Sequence, residues 1–97
     1  MKKEIFKRLE AQVSACKRYA ESSIKKSRQG NIGTAIDLLD IAQSAKICAD
    51  QAHEKLWEES QGNLTNYEFE LFAESETLDR NLKKAYKEIM IARQKYN

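Results

Sequence analysis

Apolar residues in this chain recur every three or four positions, and two short stretches interrupt them: Gly30-Asn31-Ile32-Gly33-Thr34 and Gln61-Gly62-Asn63-Leu64-Thr65-Asn66-Tyr67-Glu68. Glycine just past a helix and Ser, Thr or Asn just before the next are the chemistry of stopping and restarting. The pattern therefore predicts three helices, at about 2–29, 34–60 and 65–96. In the first, Phe6, Leu9, Val13, Cys16 and Ala20 form one stripe, widened by Ile5, Tyr19 and Ile24. The second carries two neighbouring stripes, Leu38, Ile41, Ala45, Cys48, Ala52 and Ala35, Leu39, Ala42, Ala49, Leu56, as a middle helix touching two partners would. Along the third, Leu71, Ser75, Leu78, Leu82, Ala85, Ile89, Ala92 and Tyr96 keep a heptad-like rhythm in which only Ser75 is polar.

Short connections favour antiparallel neighbours, so the expected fold is all-α, an up-down-up three-helix bundle forming a single domain over residues 1–97. Thr65 and Glu68 have the spacing of a capping box, and Leu64 and Phe69 that of a hydrophobic staple. Thr34 and Asp37 repeat the box more weakly at the second helix. Centring each hairpin on its break places Phe6, Trp57 and Phe69 at one level, with Phe72 nearby, as an aromatic plug at one end. It also places Cys16 level with Cys48 on facing stripes. Two reduced thiols in a small-residue layer are the favoured reading, with a disulfide as the alternative where the helices approach closely.

Composition narrows the function more by exclusion than by motif. With 41 % hydrophobic and 33 % charged residues, the chain suits amphipathic helices, and no apolar run approaches the roughly 20 residues of a spanning helix. The charged start offers no signal-peptide core, so a cytoplasmic location without membrane attachment is expected. Asp50 and His53 have a carboxylate-x-x-His spacing, yet the rest of a metal constellation is missing and a solvated pair is the expectation. No nucleophile motif or phosphate-cradling lysine loop is present. Neither an enzyme nor a cofactor is implied.

Net charge is only +2, but its distribution is uneven. Residues 1–30 carry nine basic and three acidic groups, and residues 31–62 two basic and six acidic. Residues 63–79 hold five acids and no base, whereas residues 80–97 hold six bases and one acid. The ends of the first and third helices should therefore share a basic pole, with Lys25, Lys26, Arg28, Arg93 and Lys95 around the Gly30 turn as a candidate anion site. Dipole complementation explains much of the same pattern without a ligand. Glu54, Glu58 and Glu59 sit at the wrong helix end for the dipole and are expected to pair with Lys3, Lys7 and Arg8. Tyr86, Met90 and Ile91 exceed what one core stripe can bury, as does Ile47, and the first three form a candidate surface for a protein partner or a second copy. The expected function is a non-enzymatic helical interaction module, an adaptor, small chaperone or inhibitor. Nucleic-acid or other polyanion binding at the basic pole is the alternative, weakened by a pI near 8.5.

Overall fold

The computed structural model describes residues 2–96 and shows an all-α three-helix bundle whose third helix is bent. Helix α1 spans Lys2–Arg28, α2 spans Ile32–Ser60, and the third rod divides into α3, Asn66–Ser75, and α4, Leu78–Tyr96. Cross-helix contacts establish the topology. Lys2–Glu68, Lys17–Glu74 and Arg28–Glu88 climb both rods in the same direction, so the first and third are parallel. Trp57–Phe72, His53–Ser75 and Lys46–Asp79 run in opposite directions, so α2 is antiparallel to both pieces of the third. The result is a rod 51 Å long and 17 by 15 Å across.

The α1–α2 turn closes as a Schellman motif. Gly30 adopts φ +80°, its N–H donates to the Ser27 carbonyl at 3.0 Å, and the Asn31 N–H donates to the Lys26 carbonyl at 2.9 Å. The chain then enters α2 at Ile32, two residues before the expected start, so Thr34 and Asp37 lie inside the helix rather than forming its box. Asn31 occupies the cap position without a side-chain hydrogen bond.

At the second break Gln61 and Gly62 are both left-handed, and α3 starts with the complete capping box. Thr65 Oγ1 accepts from the Glu68 N–H at 3.1 Å, while Glu68 Oε1 accepts from the Thr65 N–H at 3.0 Å. Glu68 is buried and also meets Lys2 at 3.2 Å. The Thr65 N–H first, and then Lys2, hold the Glu68 carboxyl below its ordinary range against the opposing cost of burial. Because the folded-state pKa is the lower one, this contribution is present above the unfolded carboxylate pKa and is lost as pH falls through the folded one. Glu68→Ala is expected to cost about 1–2 kcal/mol near neutrality, and the gap from the parent should close in acid, measured by urea unfolding across that range.

The core is asymmetric in size. Helix α2 buries Ala35, Ala42, Ala45, Ala49 and Ala52, with Leu39 and Leu56 as its only large buried side chains, against Leu9, Val13, Cys16, Ala20, Ser23 and Ser27 of α1. Close approach follows directly, since Ser23 Oγ donates to the Ala35 carbonyl of the opposing helix at 2.7 Å. The other buried hydroxyls also have partners: Ser27 donates to the Ser23 carbonyl, Ser60 to Trp57 and Ser75 to Phe72. Among the described residues no buried side-chain nitrogen or oxygen is left unpaired.

The expected thiol layer is corrected by this geometry. Cys16 is fully buried and its thiol pKa is raised by that burial, but Cys48 is exposed, and both are free. The level is right, because Cys16 feels Lys46, Asp50 and Asp79. The face is wrong, since Cys48 lies about 100° round the helix from buried Ala49. Ile41 is displaced to the surface for the same reason, as the seam admits alanine and turns larger side chains outward.

The bend at Glu76–Thr77 interrupts the run expected to be continuous over 65–96. Ser75 Oγ donates to the Phe72 carbonyl at 2.9 Å and Thr77 Oγ1 to the Glu74 carbonyl at 2.7 Å, so hydroxyls take up carbonyls near the helix end. The aromatic plug also differs from expectation. Phe6 packs on Tyr67 at 5.4 Å between ring centroids, and Phe72 packs on Trp57 at 6.2 Å. Phe69 stays 64 % exposed, since α3 turns Glu68, Leu71, Phe72 and Ser75 inward.

Candidate functional site

The candidate basic pole is assembled, though not as one pocket. The Tyr96 hydroxyl donates to the Arg28 carbonyl at 3.3 Å, and its ring lies against Gly30, bringing the end of α4 onto the first turn. Lys25, Arg28, Arg93 and Lys95 are exposed and Lys26 is half-buried. Arg28, however, is engaged: its Nη2 meets Glu88 Oε1 at 2.8 Å, which lowers the Glu88 pKa and raises that of Arg28. Lys25 and Arg28 line a shallow hollow with Glu21 and Lys84, while Arg28 and Lys95 line another with Ile91 and Tyr96. The five bases thus surround the tip without converging on one point.

Glu54, Glu58 and Glu59 do not pair with Lys3, Lys7 or Arg8 among the described residues. The pairs made by α1 reach the third rod instead, because the flank of α1 bearing Lys17 and Arg28 faces that rod.

The candidate partner surface is exposed but divided. Tyr86 is 58 % and Met90 39 % exposed, and with Asp79 and Lys83 they follow the i, i+4, i+7, i+11 spacing of one helix stripe. Asp79 approaches Lys46 of α2 at 3.5 Å, so this stripe borders α2. Ile91 lies on the opposite flank, beside Ser27 and Arg28 of α1. On α2, Ile36 near the level of Met90 and Ile47 near the level of Asp79 are both exposed.

At the other end of the same seam lies a cleft of about 510 Å³, which sequence reasoning did not find. Lys46, Asp50, His53, Glu54 and Trp57 of α2 line it opposite Ser75, Glu76 and Asp79 at the bend. The positions of the α2 residues were visible in their helical spacing, but the bend that opens the cleft was not. Lys46 is bonded to Asp50 at 2.6 Å and its pKa is raised by that bond. His53 stacks on Phe72 at 3.7 Å and its Nδ1 lies 2.7 Å from Ser75 Oγ. With the serine hydroxyl donating to the Phe72 carbonyl, its oxygen is free to accept from Nδ1 in the tautomer that carries the proton there. Asp50 and His53 therefore serve different partners, and among the described residues no three Cys, His, Asp or Glu side chains converge as metal ligands.

No helix of the described residues is long and apolar enough to cross a membrane. Comparison of the chain with protein-family models, with curated proteins and with solved structures finds no significant match.

Proposed function

We propose that this chain is a protein-interaction module of the adaptor, small-chaperone or inhibitor kind, docking a partner through the seam between α2 and α4. The observation that carries the reading is the exposure of Tyr86 and Met90 on the stripe of α4 that borders α2, together with the exposure of Ile36 on α2. Isolated exposed apolar residues are ordinary, but grouped ones flanked by charge mark contact surfaces.

The basic pole supports polyanion contact less well, because Arg28 is already neutralised by Glu88 and the remaining bases point around the tip. The docking reading is tested in cells with a photo-crosslinking residue at position 86 and, as a control, at exposed Arg18 on α1. Position 86 is expected to capture one chain, whether a different protein or a second copy, and Met90→Lys should reduce that capture at least severalfold. Equal capture at both positions, or capture indifferent to Met90→Lys, rejects this surface.

A further inference from the structure

We infer that the α2–α4 face docks on the same face of a second copy, with the two rods antiparallel about a two-fold axis beside Ile47. The inference rests on the docking reading above and names its partner. Its first support is the charge of the two halves of the rod. Residues 1–15 and 47–79 share one half and carry five basic and eleven acidic groups. Residues 16–46 and 80–97 share the other and carry twelve basic and four acidic groups. A rod 51 Å long with opposite charge on its halves is its own electrostatic complement when a second copy lies alongside it, reversed.

The face itself carries the same division. Around the cleft at the acidic half stand Asp50, Glu54, Glu76 and Asp79, against which Lys46 is the one base. Asp50 and Asp79 share Lys46, whereas Glu54 and Glu76 make no ion pair among the described residues. On the basic half of the same face is Lys83, also without an ion pair among them. The Lys46–Asp79 contact sets the register of α4 on α2, placing Lys83 near the level of Ala42 and Gln43, and Met90 near that of Ala35 and Ile36.

A two-fold axis between Lys46 and Ile47 then makes the face self-complementary. Lys83 falls opposite Asp50 and Glu76 of the second copy, and Ile36 and Met90 fall opposite Trp57 of the second copy. Ile47, 60 % exposed at the middle of α2, meets Ile47 of the second copy across the axis. Reciprocal pairing of this kind is what an isologous interface requires. One side of a rod 51 by 17 Å also offers about the 800 Å² per partner of a standard interface. End-to-end stacking would use the same charges but leave Ile47, Trp57 and Met90 in water, and would grow into open chains.

Sedimentation of the full chain at low and high salt, over a range of concentrations, tests the arrangement. The expected result is a discrete species of twice 11.2 kDa that dissociates as salt is raised. Lys83→Glu and Glu76→Lys should each weaken it at least tenfold, and the double variant should recover most of that loss, which a folding defect in either would not do. Ile47→Cys in a Cys48→Ala background should link two copies by a disulfide under mild oxidation, while Cys48 of the parent, on the other flank of α2, should not. A monomer at every salt and concentration overturns the dimer, and because the photo-crosslink from position 86 reads any partner, that failure is distinct from failure of the docking reading. An open series of larger species, or a charge swap without recovery, overturns it equally.

Discussion

Leu56→Ala is expected to destabilise the protein by about 2–5 kcal/mol, a loss that truncating an exposed side chain should not approach. Leu56 is fully buried and is one of only two large buried side chains on α2. Its buried neighbours on that helix, Ala52 and Ser60, have short side chains that cannot reach into the space left behind. The cavity term therefore adds to the lost transfer energy rather than being relaxed away. For a domain of this size, each 1 kcal/mol moves Tm by about 4–8 °C, so thermal unfolding followed by circular dichroism resolves the change easily. Ile41→Ala, on the exposed side of the same helix, should cost less than about 1 kcal/mol. Equal losses at the two positions would mean that Leu56 is not a core residue.

Ala49→Leu should be harmful in the opposite way, by about 1–3 kcal/mol, although leucine is the more hydrophobic residue and a good helix former. Ala49 is fully buried on the alanine-lined inner face of α2, so added carbons have to push the neighbouring helix away. The adjacent exposed position separates packing from propensity: Cys48→Leu should change stability by no more than about 0.5 kcal/mol. Urea unfolding of both variants provides the measurement. A stabilised Ala49→Leu protein would contradict the close packing of the inner face of α2.

These contrasts explain what could be read in the amino-acid order and what could not. Both breaks and the box at Thr65 and Glu68 are local chemistry, and both were legible. So was the antiparallel course of α2. The true inward face of α2 was not, because the stripe holding Ile41 is as hydrophobic as the one holding Ala35, Ala42 and Ala49, and only the separation of the helix axes decides in favour of the smaller residues. Cys48 went astray on that account. The bend was signalled only by Ser75, the one polar residue in its stripe, since hydroxyls at Ser75 and Thr77 are compatible with either a straight or an interrupted helix. At the candidate site, Tyr86, Met90 and Ile91 were all legible as surplus apolar residues, but grouping them as one surface ignored the turn of the helix between Met90 and Ile91. Consecutive residues on a helix point about 100° apart, and that places Ile91 against α1.

The interruption at Glu76–Thr77 also settles a question of rotational phase. A straight α-helix drifts by about 20° per heptad against a 3.5-residue repeat, hence by about 70° over three and a half heptads. The apolar rhythm from Leu71 to Tyr96 would therefore wind off the α1–α2 groove unless the whole bundle supercoiled to follow it. By restarting at Leu78, the chain lets each piece set its own angle, so that Leu71 and Phe72 below and Leu78, Ala85 and Ile89 above all face inward. Short straight rods suffice where one long rod would have had to coil.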